Sequence, residues 1–213
     1  MNKVSAIILA AGSSSRFGEI KQFKELNGKP IWVYSINTFI LSECVDELIL
    51  VIPNYSLETL KKSQIFISLN KKDNIKLVSG GESRKDSVIN GLKSVKEAND
   101  IVCIHDAARP FIKTSYIKYS IDACSEFDGA IIAIPAVDTV KKANDQLIKN
   151  TIDRESLWMA QTPQTFKKDK LLYAIKNSSN VNITDESMLM EEANFKIKLI
   201  LSLIHISEPT RRS

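Results

Sequence analysis

The feature that most constrains the fold is a repeated alternation of short apolar runs with helical segments. Apolar runs rich in valine and isoleucine occur at residues 3–10, 46–53, 75–80, 100–107 and 129–136. Runs of this kind are typical of strands buried on both faces of a parallel sheet. Helical patterns lie between them, and one of these begins with a capping-box pattern in which Asp86 follows Ser83 by three positions. The alternation predicts a layered α/β fold.

Residues 137–158 interrupt this alternation. The polar turn sequence KANDQ lies there between two short, partly apolar arms, which predicts a β-hairpin. Because an isolated hairpin is only marginally stable in water, we expect it to pack on a second subunit of a homodimer. We therefore predict one domain over residues 1–200, a Rossmann-like three-layer α/β sandwich with a mostly parallel twisted sheet and a protruding β-hairpin arm.

The composition narrows the classes of protein. The chain has 213 residues, of which 44% are hydrophobic and 25% charged, an ordinary balance for a soluble domain. The three cysteines, Cys44, Cys103 and Cys124, are far apart and form no CxxC pair, so we expect neither a disulfide framework nor a zinc site, and a cytoplasmic location. We find no apolar run of transmembrane length and no secretory signal pattern, and expect no membrane partner. The net charge of +4 suits phosphorylated ligands, and without a basic run interleaved with aromatics we expect no nucleic-acid partner.

In layered α/β folds, ligands bind at the carboxyl ends of the strands, and the first such loop is LAAGSSSRFGEIKQF, residues 9–23. It has neither the Walker spacing nor a GxGxxG pattern. Arg16 and Lys21 place two cations along it. Its small residues would let backbone amides approach an anion: Ala10, Ala11, Gly12 and Ser13 to Ser15. On the loop's composition alone, an ordinary turn and a phosphate loop both remain open.

The second candidate is HDAARPF, residues 105–111, at the end of the fourth apolar run. Asp106 could hold a magnesium ion that also contacts phosphate oxygens, and Arg109 could bind phosphate or hydroxyl groups. Alternatively, Asp106 only initiates a turn and Arg109 forms a surface ion pair with it. We interpret His105 as structural, because no second ligand lies at metal-binding spacing from it.

Three further segments carry polar residues. In SGGESRKDS, residues 79–87, the glycines permit close backbone approach and Glu82, Ser83 and Ser87 could read a base edge, but the segment taken alone favours a helix-capping turn. In IDRESLWMAQTPQTF, residues 152–166, Thr162 precedes a proline and is held extended. We expect the aromatic residues of this segment, Trp158 and Phe166, to pack in the core. The acidic residues of TDESMLMEEAN, residues 184–194, fit a helix N-terminus.

In combination and in this order, these motifs resemble the 2-C-methyl-D-erythritol 4-phosphate cytidylyltransferase family of the non-mevalonate isoprenoid pathway, from about residue 3 to about residue 198. The opening loop resembles the wider nucleotidyltransferase group, and HDAARP with TPQTF resembles cytidylyltransferases acting on small polyol phosphates. The ribitol-5-phosphate cytidylyltransferases are the nearest alternative. A protein that binds CTP without turnover is a third possibility.

The resemblance implies a set of roles. A phosphate oxygen of the second substrate attacks the α-phosphorus of CTP, Mg²⁺ bridges the triphosphate, and Arg16 and Lys21 stabilise the transition state. The resemblance assigns the cytidine pocket to Ala10, Ala11, Gly12, Gly81, Glu82 and Ser87. It assigns the polyol and metal end to Asp106, Arg109 and Thr139, with Asp106 as the metal ligand. Arg154 and Thr162 match groups that hold the second substrate's phosphate, contributed across the dimer by the arm, and Arg154 also counts among the catalytic groups.

The pattern of the family stops near residue 200. Residues 201–213, LSLIHISEPTRRS, match no family motif, and the lysine that the family adds to the phosphate cluster has no counterpart here. We therefore expect a tail unrelated to the family, of the kind produced by translated adapter or vector sequence, and a weakened activity if the tail is native.

Overall fold

The structure is a computed structural model that describes residues 2–12, 21–71, 74–180 and 183–202, built around a seven-stranded sheet. The described strands are β1 (Val4–Leu9), β2 (Glu25–Leu26), β3 (Lys29–Pro30), β4 (Glu47–Ile52), β5 (Ile75–Ser79), β6 (Ile101–Asp106), β7 (Gly129–Pro135), β8 (Val140–Asn144), β9 (Leu147–Ile152), β10 (Trp158–Lys167) and β11 (Ile197–Leu201). The main sheet has the order β11-β7-β10-β6-β1-β4-β5, and all its pairs are parallel except those of β10 with β6 and β7. All five predicted apolar runs form strands of this sheet.

Helices cover both faces of the sheet. They are α1 (Ile31–Ser42), α2 (Leu57–Lys61), α3 (Gln64–Leu69), α4 (Arg84–Lys93), α5 (Thr114–Asp122), α6 (Lys168–Asn177) and α7 (Glu186–Glu192). In β1, Ala6 and Ile8 pack in one core with α1, α3 and α5, while Ile7 and Leu9 pack in a second core with α4, α6 and α7. Both faces of the strand are buried, which is why its sequence is almost entirely apolar; the buried Ser5 donates its hydroxyl to Glu47. The predicted three-layer sandwich is confirmed.

The predicted hairpin is also confirmed. Strands β8 and β9 pair antiparallel and form a sheet of their own. Asp145 and Gln146 between them have φ values of 47° and 65°, the left-handed geometry that tight hairpin turns require. The arm is exposed along most of its length, and Leu147 and Ile148 present 74% and 67% of their surface.

Strand β10 was not predicted from the sequence. Its glutamines, threonines and proline break any apolar run, yet the strand lies inside the sheet, between β6 and β7. Phe166 is fully buried, as expected, but the prediction that Trp158 packs in the core was wrong, because 39% of its surface is exposed. Trp158 lies at the strand end that pairs with Pro135, beyond the part of β10 that pairs with β6.

The last described strand reaches the predicted tail. β11 includes Leu201, and the backbone N–H of the buried Ser202 donates to the carbonyl of Ala133 at 2.8 Å. These two residues therefore belong to the sheet, and the rest of the predicted tail, from residue 203, lies outside the described residues. In the part of the chain that the structure describes, no helix has the length and apolarity needed to span a membrane.

Candidate active site

A cleft of about 700 Å³ opens at the carboxyl ends of β1, β5 and β6. In the sheet, β1 has β4 on one side and β6 on the other, so the chain reverses its direction of winding at this point. Open α/β sheets place ligands in the crevice formed by such a reversal. The cleft is lined by Leu9, Ala11, Gly12, Lys21, Gln22, Gly81, Glu82, Ser83, Arg84, Ser87, Asp106, Ala108 and Arg109.

Two loops meet on the nucleotide side predicted from the sequence. After β1, the buried Ala10 donates its backbone N–H to Val51 at 2.7 Å, which places Ala11 and Gly12 at the cleft. A Cβ on Gly80 would lie 2.3 Å from the Cβ of Ala11, and one on Gly81 would lie 2.2 Å from the Cβ of Asp86. Only glycine permits these close approaches: Gly80 brings the loop after β5 against the loop after β1, and Gly81 lets that loop fold closely onto the start of α4.

The start of α4 carries the remaining predicted residues of this side. The predicted capping box is present: Ser83 accepts from the backbone N–H of Asp86, whose carboxylate accepts from Ser83 in return. Glu82 and Ser87 both line the cleft, and the Ser87 hydroxyl accepts from the backbone N–H of Gly81 at 3.1 Å. The structure therefore brings Gly81, Glu82 and Ser87 together with Ala11 and Gly12, whereas Ala10 lies buried beneath them.

Of the two predicted cations, the structure describes Lys21, and Arg16 lies outside the described residues. Lys21 begins a short 3₁₀ helix, Lys21–Phe23, and lines the cleft. Gln22, which was not predicted, is buried beside it with its amide Nε2 3.5 Å from the carbonyl of Gly12.

Asp106 ends β6 on the opposite side of the cleft, where a chain of hydrogen bonds fixes its backbone. The Thr162 hydroxyl accepts from the backbone N–H of Asp106 at 3.1 Å and lies 3.0 Å from Nδ1 of His105. Nε2 of His105 lies 3.2 Å from the carbonyl oxygen of Arg109. Because a carbonyl oxygen can only accept a hydrogen bond, Nε2 carries the proton of the ring. The other nitrogen, Nδ1, is then an acceptor and receives the hydrogen bond of the Thr162 hydroxyl. Full burial lowers the pKa of His105 to about 4, which keeps the ring neutral. His105 is therefore structural, as the sequence indicated.

Thr162 lies in an irregular part of β10, where pairing with β7 shifts register between Ala160 and Gln164. Such irregularities redirect side chains, and here Thr162 reaches β6. It also lines a smaller hollow of about 310 Å³ beside the cleft, which it shares with Arg109 and Phe111.

The Asp106 carboxylate contacts two guanidinium groups. Nη2 of Arg84 lies 3.3 Å from Oδ1, and Nε of Arg109 lies 3.5 Å from Oδ2. Nη1 of Arg84 also contacts both carboxylate oxygens of Glu186, at 2.8 and 3.0 Å. Burial alone would lower the pKa of Arg84, but Glu186 and Asp106 together raise it. Burial raises the pKa of Glu186 and Arg84 opposes that shift.

Sequence analysis missed Arg84 and Glu186. Both occur inside motifs that were quoted for other residues, Arg84 in SGGESRKDS and Glu186 in TDESMLMEEAN. The two residues are separated by 102 positions in the sequence, so no local pattern indicated that they pair. On the sequence alone, Glu186 was explained by its place at a helix N-terminus. Asp185 does cap α7, since it accepts from the backbone N–H of Met188, but Glu186 is buried and turned toward Arg84.

The predicted residues of the arm do not reach the cleft of their own chain. Thr139 and Arg154 are both exposed, and neither lines the cleft. Nη1 of Arg154 donates to the carbonyl of Val137, at the base of the arm.

No cluster of three or more histidine, cysteine, aspartate or glutamate residues that could hold a metal ion occurs among the residues placed by the structure. Asp106 is the predicted metal ligand, and its side chain is 31% exposed at the cleft. One carboxylate fits Mg²⁺ that arrives with a nucleotide, because such ions keep several waters and take further oxygens from the substrate phosphates.

Comparison with known proteins identifies the family. A family model described as IspD, 2-C-methyl-D-erythritol 4-phosphate cytidylyltransferase, matches residues 4–202. The chain belongs to this family. It is 39% identical over 205 residues to a 2-C-methyl-D-erythritol 4-phosphate cytidylyltransferase of Alkaliphilus oremlandii, an alignment that covers 94% of this chain and 86% of that protein. The family resemblance predicted from the motifs is confirmed, and the chain is a cytidylyltransferase, an enzyme of the nucleotidyltransferase class.

Two further relatives are a solved structure with the same fold and a longer, bifunctional enzyme. The crystal structure of 4-diphosphocytidyl-2C-methyl-D-erythritol synthase from Anaerococcus prevotii superposes with a TM-score of 0.81 at 28% identity, covering 94% of this chain and 89% of that one. A bifunctional enzyme IspD/IspF of Desulfotalea psychrophila is 38% identical over 202 residues, which cover 94% of this chain and 52% of that protein. The chain thus spans about half of the bifunctional relative.

Proposed function

We propose that this chain transfers the cytidylyl group of CTP to 2-C-methyl-D-erythritol 4-phosphate and releases pyrophosphate, a step of isoprenoid precursor synthesis. The observation that carries the proposal is the single cleft in which Ala11, Gly12, Gly81 and Lys21 lie opposite Asp106. Family membership supports the choice of nucleotide and acceptor, because the relatives are named for this reaction.

The nucleotide binds on the side formed by the loops after β1 and β5. Small residues there leave backbone groups open to the base and the phosphates. Glu82 and Ser87 add polar side chains that can discriminate a base and a ribose by hydrogen bonding.

The chemical step needs positioning and charge stabilisation. A phosphate oxygen of the acceptor forms a bond to the α-phosphorus of CTP, the bond from that phosphorus to the bridging oxygen breaks, and pyrophosphate leaves with the electron pair. A phosphate monoester is already a nucleophile at neutral pH, so no protein nucleophile is required. Lys21, with Arg16 of the same loop, stabilises the charge that develops on the α-phosphate oxygens.

Asp106 is the residue that would hold Mg²⁺, which when bound supplies Lewis-acid stabilisation of the triphosphate. Arg109 lies beside it and, with 45% of its side chain exposed, can turn toward the acceptor. Thr162 fixes the backbone of Asp106 through the hydrogen bond described above.

Arg154 acts on the phosphate of the acceptor from the arm of a second copy of the chain, and Thr139 acts on the polyol. Thr162, which the resemblance also assigned to the arm, instead lies in β10 and contacts Asp106 of its own chain. The exposed apolar side chains of the arm, Leu147 and Ile148, support burial against a partner. The position of Arg154 outside the cleft of its own chain supports the same arrangement. We also propose a reducing, cytoplasmic location, supported by three cysteines that are all free.

The test is pyrophosphate release by the purified chain with CTP, Mg²⁺ and 2-C-methyl-D-erythritol 4-phosphate. Ribitol 5-phosphate replaces the acceptor in a parallel assay, and ATP replaces CTP in a third. We expect release only with CTP and the methylerythritol acceptor. Release with ribitol 5-phosphate alone would contradict the proposed acceptor, and CTP binding in a calorimeter without any product would contradict the proposed reaction.

A further inference from the structure

Arg84 and Glu186 form an ion pair at the cleft, with Glu186 buried and the Arg84 side chain 36% exposed, and the proposed reaction assigns this pair no role. Arg84 is the first residue of α4, and Glu186 is the first residue of α7. Glu186 is only 3% exposed, and both its oxygens contact Nη1 of Arg84. A buried ion pair is weak evidence for stability, because the desolvation of both charges offsets their attraction. The pair therefore invites an explanation in terms of the cleft.

The other edge of the Arg84 guanidinium reaches Asp106. Its Nε and Nη2 lie 3.4 and 3.3 Å from Oδ1 of the carboxylate, so both nitrogens approach the same oxygen. Arg84 cannot follow a ligand into the cleft without leaving Glu186 unpaired, because the two are held at 2.8 Å. Glu186 of α7 thus holds Arg84 of α4, and Arg84 in turn holds Oδ1 of Asp106.

The second oxygen of Asp106 is held more loosely. The guanidinium nitrogen beside it is Nε of Arg109, at 3.5 Å, whereas Oδ1 has two nitrogens of Arg84 beside it, at 3.4 and 3.3 Å. The Arg109 side chain is 45% exposed and can turn away without leaving a buried charge. Oδ2 is therefore the oxygen that a cation could take over.

We propose that Glu186 is a positioning residue that locks Arg84 on Oδ1 of Asp106 and so presents Oδ2 to the divalent cation of the bound nucleotide. The inference rests on the proposed function, since it concerns the cation that accompanies CTP. Residues that orient a metal ligand from behind raise metal affinity by tenfold to a hundredfold in other proteins. Glu186 would orient Asp106 indirectly, through the guanidinium group of Arg84.

The experiment compares Mn²⁺ binding to the CTP complexes of the wild type and the Glu186→Gln variant, measured by the electron paramagnetic resonance of free Mn²⁺. Glutamine keeps the size of the side chain and removes the charge that holds Arg84. We expect the dissociation constant of Mn²⁺ to rise about tenfold. CTP affinity measured by calorimetry in EDTA should be unchanged, a separation that a merely structural role would not produce.

The matched control is Glu192→Gln, which removes an exposed glutamate from the same helix and should leave Mn²⁺ binding unchanged. The Arg84→Gln/Glu186→Gln double variant contains no buried charge and keeps the test usable if the single variant unfolds. It should show a loss of Mn²⁺ affinity at least as large. Wild-type Mn²⁺ affinity in either folded variant would overturn the inference. Failure of the wild type to bind CTP would instead contradict the proposed function.

Discussion

At the scale of single residues, the cleft separates fixed groups from groups that can move. Asp106 is held by Thr162 and Arg84, and Thr162 is itself held by the neutral His105. Arg109 has fewer restraints and Lys21 lies on the facing loop. Under the proposed function, the fixed Asp106 would hold its cation without reorganisation during the reaction.

Lys21→Ala should lower kcat by about a hundredfold or more, because it removes one cation from the α-phosphate in the transition state. Pyrophosphate release under saturating substrates is the measurement. Lys29→Ala is the control, since Lys29 is exposed and does not line the cleft. We expect the same loss from Arg16→Ala, whose role follows from the family resemblance. Unchanged kcat in the Lys21 variant would remove that residue from its assigned role.

At the scale of elements, a buried carboxylate joins strands at the opposite end of the sheet. Glu47 of β4 is 1% exposed, accepts from the Ser5 hydroxyl of β1 at 2.8 Å and from the backbone N–H of Lys96 at 3.0 Å, and lies 2.6 Å from Nζ of Lys76 in β5. Burial raises the pKa of Glu47, but the three partners outweigh it and the pKa is lowered from the ordinary value of 4.5. The charged form therefore stabilises the folded state.

The sign of the pH dependence follows from this shift. The unfolded chain takes up the proton at a higher pH than the folded chain, so the stabilisation by Glu47 is complete above about 4.5 and is lost as the pH falls through the lower folded value. Glu47→Gln should lower the free energy of unfolding by about 1 to 2 kcal/mol at pH 7, since Lys76 is partly solvated. The difference from the wild type should shrink below pH 4.5. Urea unfolding at several pH values measures it, with the exposed Glu58→Gln as control; a difference independent of pH would contradict the assignment.

At the scale of the whole molecule, the proposed dimer would add the arm of one chain to the cleft of the other. The cleft of one chain is lined by Ala11, Gly12, Gly81, Glu82, Ser87 and Asp106, whereas Arg154 and Thr139 lie outside it. A second copy related by twofold symmetry could place its arm at this cleft and receive the first arm in return.

Mixing two inactive variants tests that arrangement. Arg154→Ala damages the arm and Lys21→Ala damages the cleft. If the arm acts on the partner's cleft, half of the randomly mixed dimers are heterodimers, and each heterodimer has one intact site and one doubly damaged site. We expect about a quarter of wild-type activity after the two are unfolded and refolded together. Mixtures no more active than the separate variants would show that Arg154 acts within its own chain or has no role.

Local patterns predicted a large part of the fold. The five apolar runs identified strands because burial on both faces leaves few polar positions, and the KANDQ turn identified the hairpin because tight turns need residues that tolerate positive φ. The capping box at Ser83 is equally local, since all its hydrogen bonds lie within one turn. These features depend on residues that are neighbours in the sequence, so they can be predicted from it.

Tertiary structure decided what depends on neighbours in space. It placed the polar β10 inside the sheet, next to β6, where Thr162 reaches Asp106, and it left Trp158 exposed. It also paired Arg84 with Glu186 across 102 positions. The sequence by itself determined the alternating elements, the order of the motifs and thus the family. Which charged side chains form ion pairs was decided only when the sheet brought the carboxyl ends of its strands together. Coulomb interactions depend on distance through space and not along the chain.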